Sequence, residues 1–365
     1  MLGVLLLLIA AAGRILWLDS APPGLQHDEI FKAQEGIALI QHGDFRLFYP
    51  TNQGHEGAFV WLLGVSYAML GQNPLMIKFP AFVMAMLTVA LLYRVTHEMF
   101  NRRVAFISAG LYAVFFFGLF TGRVGLRAGM LPVVALLVVW GLYRLHTQRT
   151  HVWRTTILTA LALGFAIYTY TSSLAVYGAF AAYGVALIVF DRATLRRVWR
   201  PLILITVMAA LIAAPMLWIR VSDPQGTNRV STITRPLTDA LNGQPQELID
   251  NGVRLLGMAQ FSGDPEARYN IPNRPLLPFP IGLAVYVGLI LLGIRLRRQP
   301  LNAAWLALVL FGIVPSLLTV SAPSFLRSIV ALPTLMIGVA LALDLIAAKR
   351  FVWILGIAAV LFVGV

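Results

Sequence analysis

Long apolar runs, separated by short polar connections, dominate this 365-residue chain and leave few folds open to it. A helix needs about 17–25 apolar residues to cross a bilayer core of roughly 30 Å, and runs of this size recur throughout the chain. Charged residues make up 12% of the chain, against about 25% in soluble domains. Since the mean hydropathy is +0.80 as well, the sequence predicts an all-α, polytopic membrane protein.

The apolar runs predict about 11 transmembrane helices in a single domain that covers 1–365. The runs are 1–18, 77–96, 103–120, 129–145, 155–170, 172–190, 201–219, 277–294, 301–320, 329–347 and 351–365. The stretch 58–70 reaches only about 20 Å as a helix, so we expect it to be interfacial. The first run has no basic start and no cleavage site, which favours a retained helix over a signal peptide. The last run is still apolar at Val365, which leaves open that the protein continues beyond it.

Basic residues concentrate in alternate connections. The loops near 94–103, 144–154, 191–200, 295–298 and 348–350 hold 15 of the 28 Lys and Arg residues, against only two acidic residues, Glu98 and Asp191. By the positive-inside rule these loops are cytoplasmic. The opposite loops, which we expect outside, are 19–76, 121–128, 220–276 and 321–328. Because the basic residues lie in these short loops, the net charge of +13 does not require a nucleic-acid partner. If 58–70 instead spans the membrane, residues 28–29 face the cytoplasm, and this alternative stays open.

Carboxylates are scarce in the chain and cluster near its start. Six of the 15 acidic residues fall between 19 and 56. The motif His27-Asp28-Glu29 follows a turn-forming Pro22-Pro23-Gly24 and precedes an amphipathic stretch. Asp28 is either a cap at a helix start, where unpaired N–H groups favour an anion, or a general base at the membrane surface. Glu29 has the same two interpretations.

A second acidic motif, His55-Glu56, stands before the expected interfacial helix. It is either a solvated helix start or a segment that folds back and brings Glu56 beside Asp28. In the second case Asp28, Glu56 and His55 are candidate metal ligands, with His27 nearby. Carboxylates suit Mg²⁺ or Mn²⁺, and imidazole favours Zn²⁺. Their spacing is not diagnostic of any metal, so the residues alone establish no cofactor.

Three arginines break the charge rule because they lie in the expected outer loops. Arg123 and Arg127 bracket the loop 121–128, and Arg327 lies in 321–328. They either contact lipid headgroups or bind a phosphate, to which guanidinium forms strong, often bidentate bonds. The long loop 220–276 contains an ordered-looking segment, 263–275, that we expect to lie over the outer face.

Several of these motifs together resemble the GT-C superfamily of integral-membrane glycosyltransferases. The resemblance is strongest to bacterial members of the branch that contains protein O-mannosyltransferases and the lipid A aminoarabinose transferase, and it covers most of the chain. The matching segments include Arg14, Pro22–Glu29, Gly54–Phe59, Gly71, Phe79-Pro80, Phe100–Arg103, Thr121–Arg127, Gly263-Asp264, Asn273–Leu277 and Ala322–Arg327.

The resemblance implies transfer of a sugar, with inversion, from a polyprenyl phosphate to an acceptor at the extracytoplasmic face of a bacterial inner membrane. Asp28 matches the catalytic carboxylate of the family, and Glu56 matches an acid assigned to the acceptor or a metal. In some members a lysine follows that acid, whereas here Gly57 and Ala58 do. Arg123, Arg127 or Arg327 would replace it at the phosphate. An acidic residue that several members carry in the second outer loop is also absent from 121–128 here. The resemblance does not indicate whether the acceptor is a protein, a lipid or a glycan.

Two other classes of function compete with the enzyme. A transporter or lipid flippase usually carries ionisable groups near the bilayer midplane, in interrupted helices. A non-catalytic scaffold would leave the loop carboxylates and outer arginines unexplained. The clustering of acids in an outer loop favours the glycosyltransferase.

Overall fold

The chain folds into a bundle of membrane-spanning and interfacial helices, seen in a computed structural model that describes residues 2–52, 54–148, 150–222, 235–346 and 358. In chain order the helices are α1 (Leu2–Ile15), α2 (His27–His42), α3 (Ala58–Leu70), α4 (Pro74–Met99), α5 (Arg102–Val114), α6 (Phe116–Thr121), α7 (Met130–Thr147), α8 (Val152–Phe165), α9 (Leu174–Phe190), α10 (Arg192–Ser222), α11 (Arg235–Leu241), α12 (Gln246–Gly257), α13 (Ile281–Ile294), α14 (Asn302–Leu317) and α15 (Leu332–Ile346). The strands β1 (Phe48–Tyr49) and β2 (His55–Glu56) form a short antiparallel hairpin.

Among the described residues, four helical stretches are long and apolar enough to span a membrane: Pro74–Met99, Arg127–Thr147, Thr171–Phe190 and Arg192–Ser222. Shorter apolar helices accompany them, including α1, α8, α13, α14 and α15. The predicted all-α, polytopic membrane fold is confirmed. The last predicted run, 351–365, lies outside the described residues except for residue 358, and so do Arg149, Lys349 and Arg350.

The helices pack through small residues where their backbones meet. Helix α13 packs on α15, α8 on α10, and α9 on α14. A Cβ on Gly288 of α13 would fall on the backbone of Gly338 of α15, so glycine is required at this crossing. Small residues of this kind allow the close approach that drives helix association in lipid. The core around them is apolar and fully buried, as at Leu92, Leu131 and Trp305.

The expected interfacial segment, 58–70, forms α3 over those same residues. Helix α3 packs on α2 and α4 and buries Phe59, Val60 and Leu63. Its 13 residues leave it short of a bilayer core. Gly36 of α2 lies close to α3, since a Cβ there would approach the Leu63 Cβ to 2.8 Å. The two helices therefore form a unit that carries the first acidic cluster.

The predicted continuous helix over 103–120 is wrong, because the chain breaks at Phe115. Phe115 has an extended backbone (φ −65°, ψ 145°) between α5 and α6. The buried guanidinium of Arg14 donates to the carbonyls of Ala113 at 3.0 Å and Gly118 at 2.9 Å. A charged donor thus satisfies backbone groups that the break removes from the helix, as the apolar interior requires. The expected run 201–219 also starts earlier, at Arg192.

The acid-rich loops meet at one end of the bundle, which we call the acidic end. Residues of 19–56, 121–128, 263–277 and 321–328 are joined there by hydrogen bonds. Three of the basic loops, 94–103, 144–154 and 191–200, meet at the opposite end, which we call the basic end. There Tyr143 donates to the Glu98 carbonyl at 2.6 Å, and Arg197 donates to the His146 carbonyl. For the loops that these bonds join, the grouping from charge agrees with the fold.

Candidate active site

The first turn of α2 holds the His27-Asp28-Glu29 motif. Glu29 is buried, and its carboxylate accepts from the Gln26 N–H at 2.8 Å and from the Gly125 N–H at 2.6 Å. These two bonds close the helix start and attach it to the 121–128 loop. Asp28 precedes Glu29 at the helix N-terminus, where the helix dipole favours a negative charge. His27 is exposed, and its ring packs edge-on against Phe31 at 4.4 Å between centroids.

Asp28 is half-buried and faces a cavity. Its Oδ1 accepts from Asn52 Nδ2 at 2.7 Å. Burial by itself raises the pKa of Asp28, but the Asn52 hydrogen bond and the charges of Lys32, Arg127 and Arg268 outweigh burial and lower it. The carboxylate is therefore ionised at neutral pH and has an oxygen left to accept a proton.

The cavity beside Asp28 has a volume of about 400 Å³ and lies at the acidic end. All four loop regions of that end contribute to its wall. The lining residues are Asp28, Lys32, Asn52, Leu126, Arg127, Ala128, Tyr170, Asp264, Glu266, Arg268, Tyr269, Ser321, Ser324, Leu326 and Arg327. The wall is mostly polar, and four cations line it with three carboxylates.

Two of the cations, Lys32 and Arg127, are nearly buried. Lys32 is 4% exposed, and its Nζ donates to the Asp28 carbonyl at 2.9 Å. Burial, with Arg127 nearby, lowers the pKa of Lys32 to about 8. The Arg127 guanidinium lies over the Tyr170 ring, 5.6 Å from its centroid, and its Nε is 3.2 Å from Glu56 Oε2. Both cations are thus held in place at the back of the cavity.

Arg268 and Arg327 come from loops distant in sequence. The Arg268 guanidinium is 3.0 Å from Glu266 and lies 5.5 Å from the centroid of the Tyr269 ring. Burial, with the Asp28 charge, raises the pKa of Tyr269 to about 12, so its hydroxyl keeps its proton. The Arg327 backbone is fixed by Ser172, whose hydroxyl donates to its carbonyl at 2.7 Å.

Asp264 joins two of the loops that form the wall. Its Oδ2 accepts from the Phe325 N–H at 2.8 Å, and its Oδ1 accepts from the Glu266 N–H at 2.9 Å. The residue is fully buried, and burial raises the pKa of its carboxyl. Because its two oxygens bond different loops, Asp264 holds the 263–277 segment against 321–328.

Glu56 lies behind the cavity wall and does not line it. Its Oε1 is 2.5 Å from Arg220 Nη2, and its Oε2 is 3.2 Å from Arg127 Nε. The carboxylate is 2% exposed, so two arginines neutralise it in a buried site. The fold brings Glu56 to Arg127, which faces Asp28 across the cavity.

The predicted metal ligands are not brought together. His55 Nε2 lies 2.7 Å from Glu35 Oε2, Glu56 pairs with two arginines, and Asp28 is bonded to Asn52. Burial raises the pKa of Glu35, although a hydrogen bond from Thr51 opposes it. Within 2–52, 54–148, 150–222 and 235–346, no three His, Cys, Asp or Glu side chains are grouped to hold a metal ion. Asp28, Glu56 and His55 therefore do not fit a common metal.

Arg123, predicted to bind phosphate, instead closes the end of α1. Its guanidinium donates to the carbonyls of Gly13 at 2.7 Å, and of Leu16, Trp17 and Ala21 at 2.8 Å each. These carbonyls belong to the C-terminus of α1 and the turn after it, where helix carbonyls lose their intrahelical partners. Arg123 does not line the cavity, whereas Arg127 and Arg327 do.

Lys32, Asn52, Arg268 and Tyr269 line the cavity but were not anticipated from the sequence. Lys32 could have been found, since it lies one helical turn after Asp28 on the same face. Asn52 carries no such signal, and Arg268 and Tyr269 were expected only as part of the segment 263–275 over the outer face. Only the folding of distant loops brings them to Asp28.

Comparison with known proteins gives one family match. Residues 58–218, a little under half of the chain, match the model of the dolichyl-phosphate-mannose-protein mannosyltransferase family. No curated protein sequence matches the chain significantly.

Two solved structures share the fold over almost the whole chain. One is the archaeal oligosaccharyltransferase AglB from Archaeoglobus fulgidus with an inhibitory peptide and a dolichol-phosphate (TM-score 0.64, 15% identity, 100% of this chain and 54% of that one). The other is ArnT from Cupriavidus metallidurans bound to undecaprenyl phosphate (TM-score 0.60, 17% identity, 97% and 62%). The A. fulgidus enzyme also has a structure with Zn and sulfate (TM-score 0.62, 15% identity, 100% and 52%).

This chain thus spans between half and two thirds of the length of those proteins. The family match and the two structures confirm the resemblance drawn from the sequence motifs. The chain has the fold of the GT-C superfamily of integral-membrane glycosyltransferases.

Proposed function

We propose that the protein is an inverting glycosyltransferase that moves a sugar from a polyprenyl phosphate to an acceptor in the cavity around Asp28. One observation carries this proposal: an ionised carboxylate shares a cavity of about 400 Å³ with the cations Lys32, Arg127, Arg268 and Arg327. The match to a mannosyltransferase family supports it. So do the dolichol-phosphate and undecaprenyl phosphate bound to the two structural relatives.

The charges in the cavity fit both halves of the reaction. Asp28 takes the proton of an acceptor hydroxyl or amine as that atom attacks the sugar C1 from the side opposite the phosphate. The bond between C1 and the phosphate oxygen breaks, and its electron pair leaves with the lipid phosphate. The cations stabilise the charge that develops there, and the low dielectric near the membrane strengthens their effect. Phosphate is a good leaving group, so the step needs no separate acid.

Lys32 and Arg127 are the cations best placed to hold the phosphate. Both are almost buried beside Asp28, so their charges are poorly screened by water. Lys32 lies on α2, whereas in some members of the family a lysine follows the acid that Glu56 matches. We propose that Lys32 supplies that contact from a different element. Arg268 is mostly exposed at the cavity mouth, where it would meet the ligand on entry.

In this proposal Glu56 is a positioning residue. It is buried and ion-paired, and it contacts Arg127 from behind the wall. Its pairing with Arg220 and Arg127 fixes the guanidinium of Arg127 toward the cavity. No step passes through a metal ion, because Asp28, Glu56 and His55 have separate partners.

The charge pattern supports a site at the extracytoplasmic face, and the resemblance to bacterial members of the family supports a bacterial inner membrane. The cavity lies at the acidic end, opposite the loops with most of the basic residues. The acceptor is a protein, a lipid or a glycan, and the sugar is a hexose or a pentose. These must be found by screening labelled polyprenyl-phosphate sugars against acceptors of each class.

Binding of the carrier tests the cationic wall independently of acceptor and sugar. In lipid nanodiscs, Arg327→Gln removes one cavity cation, and Arg254→Gln removes an exposed arginine of α12 as a matched control. A lost charge-assisted bond of about 1.5–3 kcal/mol weakens undecaprenyl-phosphate binding by about 10- to 100-fold in the first variant only. Equal affinity in both variants would contradict the proposed phosphate site. Movement of the carrier across the bilayer without sugar transfer would favour a flippase.

A further inference from the structure

A second cavity, of about 420 Å³, lies between α7 and α8 at the basic end. Its lining residues are Leu137, Trp140, Gly141, Arg144, Gln148, His151, Arg154, Thr155, Leu158 and Thr159. Helix α7 begins beside Arg127 at the candidate active site and ends at this cavity. Its 18 residues are about 27 Å long, so the two cavities lie at opposite ends of the bundle.

The walls of this cavity change from apolar to basic along α7 and α8. Leu137, Gly141 and Leu158 lie toward the middle of the two helices, and Arg144, His151 and Arg154 lie toward their shared connection. From Leu137 to Gln148 the wall rises about 16 Å. None of the described residues that line it is a carboxylate. A ligand that fits must be apolar at one end and anionic at the other.

The Arg144 side chain is already oriented in the cavity. Its guanidinium lies over the Trp140 ring at 5.2 Å, and its Nε donates to Gln148 Oε1 at 3.0 Å. The nearby acid, Glu98, is engaged elsewhere: it accepts from Trp140 Nε1 at 2.7 Å and pairs with Arg94 at 2.6 Å. Glu98 therefore does not pair with Arg144 itself but fixes the Trp140 ring on which the guanidinium lies, so Arg144 is oriented and its charge is not neutralised by Glu98.

We propose that this cavity binds an anionic phospholipid of the surrounding bilayer. Its phosphate would lie between Arg144 and Arg154, and an acyl chain would follow Leu137 and Leu158. Guanidinium groups bind phosphate strongly, and basic pockets between transmembrane helices at the cytoplasmic side suit such headgroups. The lipid would join the ends of α7 and α8 and is separate from the substrate cavity.

Lipid retention tests the site without any glycosyl transfer. The purified full chain is incubated in detergent with equal amounts of phosphatidylglycerol and phosphatidylcholine of the same acyl chains, and bound lipid is counted by native mass spectrometry. Arg144→Gln with Arg154→Gln removes the cations, and Thr155→Phe fills the cavity without a charge change. Arg102→Gln with Arg196→Gln, two exposed arginines of the basic end outside the cavity, is the matched control.

We expect wild type and control to retain phosphatidylglycerol at least 10-fold over phosphatidylcholine. The double variant and Thr155→Phe should both lose that preference. Excess glycerol phosphate should not displace the lipid, because the acyl chain contributes to binding. Equal retention in all four proteins, loss in the control as well, or full displacement by glycerol phosphate would overturn the site. Unchanged retention in Thr155→Phe alone would place the lipid outside this cavity.

Discussion

At the residue scale, the environment of each ionisable group decides its role better than its type does. Arg123 and Arg127 are four residues apart, and the sequence assigns both to a phosphate. Arg123 donates all its hydrogen bonds to four carbonyls at the end of α1. Arg127 faces the cavity, and its guanidinium contacts Tyr170 and Glu56. The difference lies in contacts with α1 and β2, which no local pattern reveals.

Lys32 gives a prediction for the pH dependence of the reaction. Its pKa of about 8 is below the ordinary lysine value, so the side chain is mostly charged at neutral pH, half charged near pH 8 and neutral well above it. We expect kcat/KM for the donor to fall above pH 8, since this ratio follows ionisation of the free enzyme. Lys32→Arg keeps its charge and should remove the decline. A decline that is unchanged in Lys32→Arg would assign it to another group.

Glu56 gives a prediction about stability. Removing one partner of a buried ion pair leaves the other charge uncompensated and costs about 3–5 kcal/mol. Glu56→Gln should therefore lower the free energy of unfolding by an amount of this order and weaken donor binding through Arg127. Glu56→Gln combined with Arg220→Gln should be less destabilised than the single variant, as denaturation of the purified proteins would show. A double variant less stable by the sum of both single effects would contradict the pairing.

At the element scale, the apolar runs were enough to predict the helices but not their interruptions. The segment 58–70 forms a helix with the predicted bounds because its length and composition are local properties. The break at Phe115 is stabilised by Arg14 from α1, a contact across about 100 residues of sequence. Asp28 and Arg127 could likewise be chosen from the sequence, but Asn52 and Arg268 reach the cavity only through tertiary folding.

The end of α1 provides a test of Arg123 as a helix-closing residue. Arg123→Gln removes up to four hydrogen bonds to carbonyls, each worth about 1.5–3 kcal/mol when the donor is charged, less what water and Gln recover. We expect a clear loss of thermal stability, with Arg254→Gln unchanged as the control. Undecaprenyl-phosphate affinity of the folded Arg123→Gln protein should match wild type. An Arg123→Gln protein that is as stable as wild type but binds undecaprenyl phosphate more weakly would show that Arg123 contacts the phosphate instead.

At the scale of the whole molecule, the fold separates an acidic end from a basic end. Loops far apart in sequence form each end. One of the two cavities lies at the start of α7 and the other at its end. The alternation of charge predicted this grouping, because the number of basic residues in each loop can be read from the sequence of that loop alone. It could not give the cavity, which depends on how Asp264 and Glu29 fix the loops to each other.

The orientation of the molecule in the membrane can be measured directly, because the natural chain has no cysteine. Asp44→Cys at the acidic end should react with an impermeant thiol reagent in intact cells. Arg102→Cys at the basic end should react only after permeabilisation. The reverse pattern would place the candidate active site at the cytoplasmic face.

The central claim is that Asp28 is the base for sugar transfer from a lipid phosphate. Its most direct test is turnover of labelled polyprenyl-phosphate sugar by Asp28→Asn, compared with Asp44→Asn, which changes a more exposed acid of the same loop outside the cavity. General base catalysis contributes about 10²- to 10⁴-fold, so kcat should fall by that factor in Asp28→Asn while carrier binding persists. Asp44→Asn should keep wild-type turnover. Equal turnover in wild type, Asp28→Asn and Asp44→Asn would contradict the account.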